Sequence, residues 1–259
     1  MALATLNRQQ LDGALHALGV QAGDGLLVHS AVQFFGKPDG GLTLYLDSLQ
    51  SLIGAHGTLV VPAFSFEFAK TAQYDPANTT SQGMGVFSEF VRQQPGARRT
   101  LHPMQSVAAL GAAADTLADC DTPSAFDDGS AFDHMLQADF KLLLLGADIQ
   151  AASMVHYSEQ RAAVPYRYWK DFAGQIHVGG EWQPRSYRMF VRDMDINPQL
   201  RLAPIQAALQ ASADWQSVQL NHGFIAACRL QDFVTATDAL LRVAVVGVDY
   251  SLSPEAKFP

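Results

Sequence analysis

Apolar and polar positions along this chain follow two periods, and the switches between them mark its elements. Over residues 8–18, Leu11, Ala14, Leu15 and Leu18 recur on one helical face and Gly19 closes the segment. Behind Gly40 and Gly41, the positions Leu42, Leu46, Leu49, Leu52 and Ile53 keep the same 3.6-residue period, which predicts a second packing helix. Further helices are predicted over 86–94, where Pro95 and Gly96 end the pattern, and over 132–137, 201–210 and 232–241. Between them lie apolar runs too short for helices: 26–28, 57–64, 107–110 and the four leucines 142–145. Such runs read as strands buried on both faces of an α/β sheet. Gly179 and Gly180 make a two-residue hairpin signal, which 187–191 extends, and an apolar segment, Phe224 to Cys228, separates the last two helices. With no internal repeat or linker, the pattern predicts one domain over 1–259, its last part from about 165 forming a subdomain over the site.

The residues able to do chemistry gather at the ends of these predicted strands. Leu142 to Leu145 pass through Gly146 into a turn, and Ser153 reads as the N-cap of a short helix that must stop before Pro165. His156 and Glu159 stand three apart on it, a spacing that lets the carboxylate orient the imidazole. Sites of open α/β sheets lie beyond strand carboxyl ends, where the helix dipole disfavours imidazolium while Glu159 pulls the other way. The same spacing also fits a surface helix with an ordinary His and Glu. His29 and Ser30 end the first strand; His29 suits a hydrogen-bonded core position and Ser30 a ligand contact. In the run RRTLHPMQS, Arg98 and Arg99 suit phosphate recognition or plain surface positions. Glu67 and Asp75, in the long stretch 65–85, could hold an amine cation or simply be solvated. Ser130 reads as an N-cap after Asp127, Asp128 and Gly129, and no P-loop or G-x-G-x-x-G occurs.

Composition narrows the partners. At 259 residues and 48% apolar content the chain can bury a sizeable core, while a net charge of −8 argues against nucleic acid and anionic membrane. The acidity fits a cationic substrate as well as mere solubility. Cys120 and Cys228 stand far apart, so neither a disulfide scaffold nor a metal site is expected. The opening MALATLNRQQ lacks a signal-peptide pattern and no apolar run reaches membrane-spanning length, which gives the expectation of a cytoplasmic protein.

Taken in order, LGVQAGDGLLVHSA, GTLVVPAF, YDP with MG, R-x-L-H-P-x-x-S, DDGS, LLLLGADI and H-Y-S-E resemble the antibiotic N-acetyltransferases typified by aminoglycoside 3-N-acetyltransferases. The resemblance covers roughly Leu6 to Arg167. It implies a three-layer α/β/α sandwich distinct from the common GNAT superfamily, and acetyl transfer from acetyl-CoA, without a metal, to a primary amine of an aminoglycoside. It matches His156 to the family's catalytic histidine, with Glu159 its companion. An ammonium must lose a proton before attacking a thioester, so a neutral His is a sensible base for direct transfer, and Ser153 or a neighbouring N–H is the candidate oxyanion donor. CoA is expected along Ser30, Ala31, Arg99, His102, Ser106, Gly129 and Ser130, and the acceptor at Glu67, Asp75 or Asp193. The chain departs from the family pattern at Ala31, often a second serine, at Ala131, often proline, and at Met154, usually small and polar. An acceptor of another kind, an amino sugar or a nucleotide-linked one met by Arg167, Lys170, Arg185 or Arg188, stays open, as do a non-catalytic CoA-binding protein and a homo-oligomer.

Overall fold

The structure, a computed structural model, describes residues 4–196 and 198–245. Its centre is a seven-stranded mixed sheet in the order Gln216–Leu220, Gly223–Arg229, Lys141–Leu145, Gly25–Ser30, Thr58–Pro62, Val107–Gly111, Arg98–Arg99. The three middle strands run parallel and the two on either side are antiparallel additions.

The two-residue alternation of strands sorts these apolar runs into two cores. Leu27, Val60, Leu142 and Leu144 point to one face and pack with Phe132, Met135, Val155, Tyr157, Leu209 and Phe233. Those partners come from the helices Ala131–Gln137, Val155–Arg161, Ala203–Ala211 and Leu230–Val245. Leu26, Val28, Leu59, Val61, Leu143 and Leu145 point to the other face, against Leu11, Leu15, Leu49, Ile53 and Phe87 of Arg8–Ala17, Leu42–Ile53 and Val86–Arg92. The result is the expected three-layer α/β/α sandwich. Because residues 142–145 serve both cores, all four leucines are fully buried, which explains an unbroken apolar run where a one-sided strand would alternate.

Several elements differ from the expectation. The helix after Ser153 is Val155–Arg161, and its N-cap is Met154, in a helical conformation with no side-chain cap. Ser153 is therefore no cap; its hydroxyl is turned inward. The segment around Phe224 to Cys228 is the strand Gly223–Arg229, which pairs antiparallel with the four-leucine strand through Cys228 and Leu142. Its neighbour Gln216–Leu220 is an edge strand whose glutamines and serine hide it from a reading of apolar runs.

The Gly179–Gly180 turn joins two strands of twelve residues each, Arg167–Val178 and Glu181–Arg192. Paired also with Gln73–Tyr74, this hairpin forms a separate three-stranded sheet with its own small core of Phe68, Tyr74, Met104, Ile176 and Tyr187. Among the described strands after about 165, the two of this hairpin stand apart from the central sheet and those at 216–229 rejoin it.

Candidate active site

The strands Gly25–Ser30 and Lys141–Leu145 end side by side, with Ser30 opposite Leu145. Gly146 then reverses the chain at a φ of +77°, where a Cβ would meet the Ala31 carbonyl oxygen at 2.6 Å, so only glycine makes this turn cheaply. Asp148 caps the short turn Ile149–Ala151 by accepting from the Gln150 N–H. The chain then enters Val155–Arg161, which places His156 and Glu159 beyond the parallel strand ends.

His156 Nδ1 stands 2.5 Å from Glu159 Oε2. An ionised carboxylate only accepts, so Nδ1 carries the proton and donates it; in the neutral ring Nε2 is then the acceptor. Glu159 is wholly buried, whereas the imidazole keeps 27% of its side-chain exposure. A third group joins them: Arg167, the first residue of the hairpin, sets Nη2 2.9 Å from the same Oε2 and 3.2 Å from His156 Nδ1, while its Nη1 donates to the Phe190 carbonyl at 3.0 Å. Phe126 presents its ring edge-on to the imidazole with centroids 5.9 Å apart. Burial pushes the Glu159 carboxyl up, but the hydrogen bond and charge of His156, followed by those of Arg167, more than offset it and hold the group below the usual carboxylate range. Glu159 therefore orients the ring as an anion.

Behind the pair lies a second histidine. His29 is buried, and its Nε2 receives the Ser153 N–H at 3.4 Å with the Ser153 hydroxyl at 3.3 Å. Burial, and secondarily the nearness of His156, brings its pKa down to about 4, so it stays neutral. Ser153, the expected oxyanion donor, is thus engaged in the interior.

The residues expected along CoA separate into two groups. Ser30 and Ala31 lie at the strand end, where Gly85 crosses; a Cβ on Gly85 would stand 3.0 Å from the Ser30 carbonyl oxygen, and the buried Ser30 hydroxyl has no hydrogen-bond partner among the described residues. The others are consumed by the fold. Arg99, expected as a phosphate clamp, is only 8% exposed and donates to Ser106 Oγ at 3.1 Å, to the Pro76 carbonyl at 3.4 Å and to the Thr79 and Ala63 carbonyls. Ser106 Oγ also donates to the Ala63 carbonyl at 2.7 Å. His102 is held between the Arg188 carbonyl and the Gln105 N–H, and burial takes its pKa to about 4. Gly129 donates its N–H to Asp133 Oδ2, and Ser130 Oγ accepts the Asp133 N–H as a helix cap, its reading from sequence. For Arg99 and Ser106, whose donors are committed to buried carbonyls, a phosphate could be met only by orphaning those acceptors, whereas Gly129 and Ser130 serve the start of their own helix.

The expected acceptor acids are not brought together. Glu67 takes a hydrogen bond from Gln82 Nε2 at 2.7 Å, with Lys70 3.6 Å away. Asp75 caps its own turn through the Ala77 and Asn78 N–H groups and lies 3.4 Å from His177. The Asp193 carboxylate accepts the Asp195 N–H. On the hairpin, Arg188 stacks on Trp169 at 4.4 Å from its ring centroid and Arg185 pairs with Asp121. Reading the sequence missed Arg167 and Phe126 as neighbours of His156, since each reaches it by tertiary packing without a spacing rule. Among the described residues no cluster of His, Cys, Asp or Glu is arranged to hold a metal ion, and no helix is long and apolar enough to cross a membrane.

Comparison with known proteins bears on this geometry. Residues 27–242 match the family model described as aminoglycoside 3-N-acetyltransferase. The chain is 32% identical over 181 residues to aminoglycoside N(3)-acetyltransferase III of Salmonella sp, covering 62% of this chain and 63% of that protein, so less than two thirds of the relative's length is matched. It is 33% identical over 211 residues to aminoglycoside N(3)-acetyltransferase VIII of Streptomyces fradiae, covering 73% of this chain and 72% of the relative. AAC-IIIb, solved as a binary complex with CoASH, superposes with a TM-score of 0.82 over 93% of this chain and 98% of its own, at 23% identity, a likeness of fold. A family match across both cores, the strand ends and the His156–Glu159 helix means that the chain belongs to the aminoglycoside 3-N-acetyltransferase family.

Proposed function

We propose that this protein transfers an acetyl group directly from acetyl-CoA to a primary amine of an aminoglycoside, the 3-amino group by family likeness, with His156 as general base. The observation that carries the reading is the Nδ1 to Oε2 contact of 2.5 Å, which orients a part-exposed imidazole on a buried carboxylate and leaves Nε2 as an acceptor. Nε2 takes a proton from the acceptor's ammonium and the freed amine nitrogen attacks the thioester carbonyl; the C–N bond forms, the C–S bond breaks, and the second proton on nitrogen passes to the departing CoA thiolate, giving the amide and the thiol. A positioned base of this kind contributes roughly 10²–10⁴-fold. Ser30 and Ala31, at the strand end beside Gly85, are the residues proposed to meet the pantetheine arm, a reading supported by the Ser30 hydroxyl that has no hydrogen-bond partner among the described residues and suits an amide-bearing chain. The family membership and the relatives' names support an aminoglycoside as the acceptor.

An assay for free CoA release across deoxystreptamine-containing antibiotics, simple amino sugars and nucleotide-linked amino sugars tests the reading. Turnover is expected on the antibiotics, with apparent affinity falling as salt rises because several ammonium groups would meet partly exposed carboxylates. Turnover confined to the amino sugars would move the acceptor class and leave His156 as base. No turnover on any amine would defeat the enzyme reading.

A further inference from the structure

Glu159 presents an electrostatic problem that His156 alone cannot solve. A wholly buried carboxylate requires a compensating charge or hydrogen bonds to stay ionised. A carboxylate beside an imidazole favours its protonated form, and a ring already protonated on both nitrogens cannot take a proton from an ammonium. Arg167 offers a second partner on the same oxygen, with Nη2 2.9 Å from Oε2. Its guanidinium remains charged under all working conditions, and at 3.2 Å from His156 Nδ1 it would face an imidazolium as a like charge. Glu159 Oε1 and Arg167 Nε have no hydrogen-bond partner among the described residues, so Oε2 is the carboxylate oxygen on which both His156 and Arg167 converge.

We propose that Arg167 is a positioning residue which, acting through Glu159, keeps His156 neutral and protonated on Nδ1 so that Nε2 is free to accept the substrate's proton. The inference rests on the general-base reading above. The groups set against the imidazole are Glu159 on its own helix, Arg167 on the hairpin, the neutral His29 on the neighbouring strand and the uncharged ring of Phe126. Arg167 is thus the cation that decides the charge of the set. It opens the strand Arg167–Val178 and is tied across the hairpin through the Phe190 carbonyl, so the docked hairpin and the protonation of the base are linked.

The test is a ring-nitrogen NMR titration of His156 in the full chain, assigned by the resonance that His156→Asn removes, alongside the pH profile of kcat/KM. Arg167→Gln keeps a donor for Phe190 and loses the charge. Its expected result is a His156 titration raised by about one pH unit, and an acid limb of kcat/KM moved by the same amount. Arg167→Lys should return both most of the way. A purely structural role would lower Tm and scale activity down at every pH with the titration unmoved, and that result overturns the proposal. Should Arg167→Gln fail to fold, Arg167→Met, which keeps the packed stem and loses the charge, takes its place: it must raise the titration while Glu159 is intact, and an unchanged or lowered value overturns the proposal. Since the titration needs no acceptor, a shifted ring in a chain without turnover would uphold the coupling and defeat the catalytic reading separately.

Discussion

Arg99 and Arg167 are both arginines drawn from solvent, one beneath the strand ends and one at the start of the hairpin. Arg99 gives its donors to neutral acceptors, the carbonyls of Ala63, Pro76 and Thr79 and the Ser106 hydroxyl, and lies over the Tyr74 ring at 5.0 Å. Arg167 gives Nη2 to a carboxylate and rests that positive group against an imidazole. The first holds three chain segments in register, and the one titratable ring beneath it, Tyr74, is pushed up by burial and stays neutral near pH 7, so its charge organises packing. The second touches two titratable groups, so its charge sets their protonation. An arginine's role in this protein follows from what accepts its hydrogen bonds, and neither its enclosure nor its place in a sequence motif reveals it.

The comparison can be broken most sharply at the base. His156→Ala is expected to reduce acetyl transfer by roughly 10²-fold or more, with a cost of about 1 kcal/mol in urea unfolding because buried Glu159 loses one partner and keeps Arg167. Turnover within a few-fold of wild type would detach the arginine, carboxylate and imidazole set from the chemistry altogether. Arg99→Ala should act oppositely: it orphans buried carbonyls and removes a packed side chain, at a cost of about 3 kcal/mol in urea unfolding. The apparent constant for acetyl-CoA in the folded enzyme should stay within about two-fold, against the tenfold expected of a lost charge-assisted phosphate contact worth about 1.4 kcal/mol. A large selective rise in that constant would restore Arg99 as a phosphate ligand.

Acid separates the buried histidines from the working one. His29 and His102 are neutral in the fold, each with a pKa of about 4 against 6.5 for the free side chain. The unfolded chain therefore binds their protons first, and the stability they contribute above pH 6.5 is lost as pH falls towards 4. Each ring should cost about 2 kcal/mol between pH 7 and pH 5. Urea midpoints at the two pH values measure it, and His102→Gln should flatten the dependence by its share. Glu159, held below its usual range, loses its contribution only under more acidic conditions. The smallest effect is expected at Ser153→Ala, which removes one of two contacts to His29 Nε2 and should cost about 1 kcal/mol. Activity should fall less than tenfold; a loss of 10²–10³-fold would be that of an oxyanion donor and would return Ser153 to that role.

Local pattern alone carried much of this protein. The four leucines 142–145, the helical periods after Arg8 and Gly41, the Gly179–Gly180 turn and the three-residue spacing of His156 and Glu159 all depend on neighbours within a few residues, and each appears where its pattern put it. Even the buried state of the leucines follows from their continuity, since a strand apolar on both faces needs a layer on each. What sequence could not decide was which donors remain available. Arg99, Ser106, Gly129 and Ser130 present phosphate-binding chemistry as residue types, yet in the fold their donors or acceptors already have partners, some of them far away in the chain. Conversely, sequence marked Arg167 only as one of four basic residues for an amino-sugar acceptor, because its meeting with Glu159 requires the hairpin to dock against the helix that carries the base. Periodicity is a property of the backbone and its nearest side chains, so it can be read in one dimension. Hydrogen-bond satisfaction and the charge of a buried group are sums over everything the folded chain brings within a few ångströms, and only the tertiary structure performs that sum.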